Sequence, residues 1–224
     1  MKRIFLMTVA IFLVSSLLIF AADYKDGLYI GVVPGRDVTV VEVGITNGII
    51  VEVNIVSPVK LEATYNFGPG IDAFIEYPGK VLAQQNAEID AVAGATGSYQ
   101  DYNKAVQMAL DIASGKYKGN KYYGLAKDFA HGHVLIEITV EGKKVTDLQF
   151  ITNDSGSNRV TLMGPKNESY PYGPARELFS SFKDKALAAI AAGKNEVDVV
   201  TGATSSSHSF NAALKHALSQ AGLL

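Results

Sequence analysis

The sequence predicts an α+β protein built from two tandem copies of one small domain, each an antiparallel hairpin or sheet packed against helices, behind an N-terminal signal or anchor helix. Three observations predict it. A hairpin pattern of alternating apolar and polar residues occurs twice, at an offset of about 95 residues. The phrase Asp-x3-Gly-Ala-Thr-x-Ser occurs twice, at residues 90–98 and 198–206, an offset of 108. A run with helical spacing follows each phrase. Repetition on this scale marks tandem units, each with its own hairpin and helices.

The elements follow in order. "MKR" precedes "IFLMTVAIFLVSSLLIF", residues 4–20, which carries no charge and ends in "AAD". A basic head, an apolar stretch and small residues at its end form a signal peptide, with cleavage after Ala21. Uncut, the stretch is just long enough to span a bilayer and would anchor the chain, leaving Lys2 and Arg3 in the cytoplasm. Residues 1–22 are therefore expected to be a signal peptide or membrane anchor. The rest of the chain is expected to be exported, to the periplasm or the cell surface.

In the first copy, Val41, Val43 and Ile45 alternate with Glu42, Gly44 and Thr46, Asn47-Gly48 turns, and Ile50, Val51 and Val53 return. In the second, Ile136, Ile138 and Val140 alternate with Glu137 and Thr139, Glu141-Gly142 turns, and Val145 and Leu148 return. Each hairpin is expected to have one buried and one wet face. A Gly- and Pro-rich stretch follows: "YNFGPGIDAFIEYPG" in the first copy, "MGPKNESYPYGP" in the second. Then comes an amphipathic helix, expected around 79–87 and over 175–192, and a closing helix, expected over 102–113 and 209–221. The 13-residue difference between the two offsets falls in the irregular connection, where insertions cost least. The domains are then 23–113 and 123–224, with 114–122 as linker.

Composition removes several classes of function. The chain of 224 residues has no Cys, which excludes disulfides, thiolate metal sites, iron–sulfur clusters and a cysteine nucleophile. Net charge is −2 with acids and bases interspersed, so no basic stripe argues for nucleic acid. A pair of histidines, His131 and His133, lacks the further ligands of a metal site, and the pair reads as strand-entry residues. His216 reads as a polar-face residue of the last helix. His208 lies two residues past Ser206, but no nucleophile elbow or acid partner accompanies it, which argues against a hydrolase.

The doubled phrase remains. Gly94 and Gly202 allow backbone angles that other residues resist. Thr96 or Ser98, and Thr204 or Ser206, fall at the start of a helix, where unpaired N–H groups and the helix dipole favour an anion such as phosphate. Helix capping by Ser or Thr is the simpler explanation of either phrase alone. A cap requires neither Gly-Ala-Thr nor an Asp four residues earlier, and the whole pattern recurs.

On these residues the chain resembles the FMN-binding domain family, which includes the C subunit of the sodium-pumping NADH:quinone oxidoreductase and the G subunit of the Rnf complex. The family pattern is Asp, two variable residues, Ser or Thr, Gly-Ala-Thr, one variable residue, then Ser or Thr. Asp198, Thr201, Gly202, Ala203, Thr204 and Ser206 match throughout. Asp90, Gly94, Ala95, Thr96 and Ser98 match as well, but Ala93 replaces the usual hydroxyl residue, and both acceptors are Ser where Thr is more frequent. The opening "DGLYIG", residues 26–31, and the closing helices are similar to the family too.

The resemblance implies FMN held through a phosphoester bond to Ser206 and Ser98, up to two per chain, installed by a flavin transferase. It implies an electron carrier rather than a catalyst with its own substrate, taking electrons from a quinone- or NADH-linked membrane donor to an external or periplasmic acceptor. Tyr65, Phe67, Tyr170 and Tyr172, in the irregular stretches, are candidates to stack on the flavin ring, and equally ordinary loop aromatics. A second reading of the same pockets is a secreted binding module for an anionic or phosphorylated ligand, or an adaptor that retains one flavin, which Ala93 favours.

Overall fold

The computed structural model describes residues 24–35, 37–63, 65–128, 132–152, 162–166 and 168–224. The N-terminal apolar segment and His131 lie outside the described residues. Among the described residues each repeat contains three strands and two helices. The first has β1 (Gly27–Val33), β2 (Thr39–Thr46), β3 (Ile49–Ser57), α1 (Gly68–Gln84) and α2 (Thr96–Ala113). The second has β4 (Lys121–Asp128), β5 (Gly132–Glu141), β6 (Lys144–Phe150), α3 (Gly173–Ala191) and α4 (Thr204–Gln220). Both sheets are antiparallel, in the orders β1-β2-β3 and β4-β5-β6. Irregular chain joins the repeats only over residues 114–120, because β4 already begins at Lys121.

Turn chemistry explains the hairpins. Asn47 and Gly48 both have positive φ, 53° and 70°, as a two-residue turn between right-twisted strands requires. In the second hairpin the positive angles fall on Gly142 and Lys143, one residue later than the expected Glu141-Gly142. Val41, Val43 and Ile45 enter the first core with Tyr77, Tyr99 and Tyr102 of the helices. Ile136 and Ile138 enter the second with Phe182 and Phe210.

Equivalent positions in the helices are offset by 105 in α1 and α3 (Gly68-Pro69 with Gly173-Pro174) and by 108 in α2 and α4. The extra length of the second repeat is therefore divided, most of it between β6 and α3 and a little between α3 and α4. The expected single insertion is corrected in that respect. α1 is also longer than the expected 79–87. Gly68, Pro69, Gly70, Pro78 and Gly79 read as breakers, but Pro69 lies in the first turn, where its missing N–H costs nothing. Further along, Tyr77 and Val81 are fully buried, and that packing holds the helix together across Pro78.

The expected wet faces of the sheets are wet only in part: Thr46, Glu52 and Asn54 are exposed, but the face towards the other repeat is not. Ile30, Val32, Val40 and Val56 of the first repeat pack with Tyr123, Leu125, Leu135 and Leu162 of the second in a shared core. Glu137, expected at a polar strand position, is 4% exposed. It accepts hydrogen bonds from Tyr123 (2.7 Å), Lys121 (2.7 Å) and Gln149 (2.6 Å), which satisfy its charge. Duplication supplies the cause, because each repeat covers the face that the other would leave in water.

One glycine in each repeat sets how closely helix and sheet approach. A Cβ on Gly31 would lie 1.7 Å from the Ala105 carbonyl oxygen of α2, and one on Gly124 would lie 1.8 Å from that of Ala213 in α4. The helix backbone thus rests directly on the strand. α4 further satisfies the outer strand edges. Gln220 accepts from Ile30 N at 2.9 Å and donates its amide to the Tyr123 carbonyl. His216 reaches the Leu28 carbonyl at 2.9 Å and that of Leu125 at 3.3 Å, so it is an inter-repeat tie and not a polar-face residue. Among the described residues, no helix is long and apolar enough to cross a membrane.

Candidate functional site

The two Gly-Ala-Thr segments adopt one conformation. Gly94 has φ +84° and Gly202 has φ +85°, in the left-handed region that favours glycine. A Cβ on Gly94 would lie 3.2 Å from the Pro69 side chain, and one on Gly202 would lie 3.0 Å from Pro174. The glycine is thus required twice, by its backbone angle and by the proline opening the preceding helix. The next residue, Ala95 or Ala203, is the helix N-cap and is buried.

Capping by Ser or Thr does not occur. Both N-caps are alanine and neither helix has a side-chain cap hydrogen bond. α2 and α4 start at Thr96 and Thr204, several residues before the expected 102 and 209, so the phrase itself forms the first turn. Thr96 and Thr204 are exposed, while Ser98 and Ser206 are half-buried at the third helical position. The first-turn N–H groups, left without a side-chain cap, make this an anion-favouring end.

An asparagine holds each approach to the motif. Asn211 of α4 donates to the Val197 carbonyl at 2.8 Å and accepts from Val197 N at 2.9 Å. Asn103 of α2 donates to the Ile89 carbonyl at 2.9 Å. In the second repeat Ser207 adds a tie, accepting from Val200 N at 3.1 Å and donating to the Ala203 carbonyl at 2.9 Å.

The remaining motif residues divide. Gly202, Ala203, Thr204 and Ser206 line a cavity of about 160 Å³ with Met163, Lys166, Tyr170, Tyr172 and Phe179. Asp198 and Thr201 instead line a neighbouring cavity with Lys185 and Lys194. Asp90 and Asp198 are both exposed, as are Ala93 and Thr201. In the first repeat Ser98 lines a cavity of about 220 Å³ with Thr39, Lys60, Asp37, Asp101 and Tyr102.

Lysines line the cavities of both candidate serines, and the aromatics before the motifs repeat in sequence. "YNFGP" and "YPYGP" match at an offset of 105, pairing Tyr65 with Tyr170 and Phe67 with Tyr172. The Tyr172 hydroxyl donates to the Gly202 carbonyl at 2.6 Å, fixing the aromatic beside the motif. Phe67 and Tyr172 remain 47% and 49% exposed, and the Tyr172 ring lies open beside the start of α4. Lys166 lies over the Tyr170 ring, 4.8 Å from its centroid, and Lys60 lies over the Tyr65 ring at 5.6 Å. The lysines, which periodicity does not single out, are functional candidates found only in the structure. His208 is exposed, and His133 is half-buried, with burial and Lys127 pushing its pKa down.

A flavin phosphate fits these residues. Helix starts without side-chain caps and lysine ammonium groups suit the anion, and exposed aromatics suit a ring left at the surface. Cavities of about 160 and 220 Å³ are below the usual range for a whole bound ligand, roughly 300 Å³ upward, so they suit the phosphate end alone. Among the described residues, no group of His, Asp and Glu is suited to hold a metal ion.

Comparison with known proteins agrees with this geometry. The family model of the FMN-binding domain matches residues 36–111 and matches again over residues 130–219. A search of curated proteins finds no match. Two matches that together span most of the chain, each containing one glycine-turned helix start, make the protein a member of the FMN-binding domain family in which the domain occurs twice.

Proposed function

We propose that the protein is an exported flavoprotein holding FMN by phosphoester bonds to Ser206 and Ser98, and that it relays electrons from a quinone- or NADH-linked membrane donor to an external acceptor. A flavin transferase makes the bonds. Bound FMN supplies reversible one- and two-electron transfer, and the protein supplies position, shielding and electrostatics. The observation that carries the reading is the twofold occurrence of one backbone geometry: a glycine of positive φ, an alanine N-cap and a serine at the third helical position, with a lysine lining the same cavity.

The chain's own residues have separable tasks. Gly94 and Gly202 turn the backbone so that the helix begins at the motif. Ser98 and Ser206 offer the hydroxyl oxygens, and the first-turn N–H groups face the phosphate charge. Phe67 and Tyr172 give the ring an apolar surface that keeps water from one side. Covalent attachment suits a compartment where a lost cofactor is not replaced from the cytosolic pool.

The experiment is denaturing electrophoresis of protein co-produced with a flavin transferase. Flavin fluorescence on the chain supports the reading, and its absence overturns covalent attachment. A second reading has one flavin per chain or another phosphorylated ligand. Ala93, in place of the usual hydroxyl residue, favours it for the first repeat. Purified protein with one flavin equivalent supports the one-flavin reading. A colourless protein supports the anion-binding module.

A further inference from the structure

Lys60 is 8% exposed, yet it carries a side chain that water normally solvates. Its ammonium donates to the Ser98 hydroxyl at 2.7 Å. It also lies over two phenol rings, 5.4 Å from the centroid of Tyr102 and 5.6 Å from that of Tyr65. Among the described residues it makes no ion pair. A neutral hydroxyl, two ring faces and the charge of Asp101 offset the desolvation cost of this cation only in part. Burial accordingly lowers its pKa, with Asp101 acting in the opposite direction. The group at the far side of its hydrogen bond is the serine read above as the attachment point, in the first turn of α2, where N–H groups also favour an anion.

We propose that Lys60 is the phosphate-binding residue of the first repeat: it pairs with the phosphate of a flavin mononucleotide at Ser98, so this repeat holds the anion electrostatically whether or not the ester bond has formed. The inference rests on reading Ser98 as a flavin site. Asp37 and Asp101 line the same cavity and oppose an anion on their side. The phosphate therefore sits on the Lys60 side, between the ammonium and the helix start. The second repeat is built differently. Lys166, which shares a cavity with Ser206, is half-buried over the Tyr170 and Phe179 rings. The two sites are unequal, and the repeat with the less complete motif has the more deeply buried cation.

The test uses the full chain produced without flavin transferase, titrated with FMN, riboflavin and inorganic phosphate. FMN is expected to bind at least about tenfold more tightly than riboflavin, the scale of one charge-assisted hydrogen bond. Inorganic phosphate is expected to shift the amide signals of Thr96, Gly97 and Ser98. Lys60→Met should lower the FMN-to-riboflavin ratio at this site, read from the amide signals of Thr96, Gly97 and Ser98, at least severalfold. Should Lys60→Met not fold, Lys60→Arg and Lys60→Gln make the same comparison, and the ratio must follow the charge. A folded variant without the charge that keeps the ratio overturns the proposal, as do phosphate shifts confined to the second repeat. Intact mass after co-production with the transferase separates the two claims. Phosphate binding through Lys60 with no adduct on Ser98 overturns attachment and keeps Lys60. An adduct on Ser98 with a ratio indifferent to Lys60 does the reverse.

Discussion

Tyr77 and Tyr102 are almost wholly buried, and neither hydroxyl has a hydrogen-bond partner among the described residues. The second repeat has Phe182 and Phe210 at these positions, so the core geometry accepts a ring without the hydroxyl. Tyr77→Phe should therefore leave the unfolding free energy at neutral pH within about 1 kcal/mol of the parent, or raise it, since an unpaired buried hydroxyl is itself costly. Burial, with Tyr99 and Tyr102 nearby, pushes the Tyr77 pKa well up in the folded protein. The sign follows from the unfolded chain, which ionises near the ordinary phenol value of about 10 while the folded chain holds its proton. The contribution of this group is complete below about pH 10 and falls as pH rises above it. Unfolding measured from pH 9 to 11 should show a shallower alkaline decline in Tyr77→Phe; an unchanged slope would contradict this. Gly202→Ala forces a Cβ into the left-handed region and toward Pro174, costing about 1–2 kcal/mol. It should reduce attachment at Ser206 and leave Ser98 unaffected, as read by peptide mass.

Helix starts mark how far the sequence could be read at the scale of elements. The hairpins were legible because alternation and Asn47-Gly48 follow local rules, and α3 was legible over nearly its whole length. α1, α2 and α4 begin earlier than periodicity suggests. Their first turns are written in Gly, Pro, Thr and Ser, and tertiary packing at Tyr77, Tyr99 and Ser207 outweighs those residues' weak propensity. The candidate acceptors and the motif glycines were legible, because a motif is a local pattern. Lys60 and Lys166 were not, since burial of a lysine depends on what the fold brings over it. Gly31 and Gly124 were likewise silent in the sequence. Alanine at either should destabilise by about 3 kcal/mol through overpacking against the helix carbonyl above it, and a thermal melt within a degree of the parent would contradict the close approach.

At the scale of the molecule, the repeats are tied by a shared apolar core and by α4, whose His216 and Gln220 bond to strands of both sheets. The positions equivalent to these in α2 are Met108 and Ile112, so the polar tie comes from one side only. The full chain should unfold in one transition. Gln220→Ala leaves Ile30 N and the Tyr123 carbonyl without that partner and should cost about 1–3 kcal/mol; paired with His216→Ala, it should separate the melt into two. A single unshifted transition would contradict the tie. The tandem arrangement was legible from the doubled phrase, whereas the covering of one sheet by the other was not. Glu137 reads as a solvent residue from strand alternation alone, whereas it is buried among Lys121 and Tyr123 of β4 and Gln149 of β6. The most direct measurement of the central claim is the intact mass of the protein from its native host, beside Ser98→Ala and Ser206→Ala. Two FMN adducts, one lost with each substitution, are predicted. A mass equal to the bare polypeptide, or adducts that persist when both serines are replaced, would contradict the account.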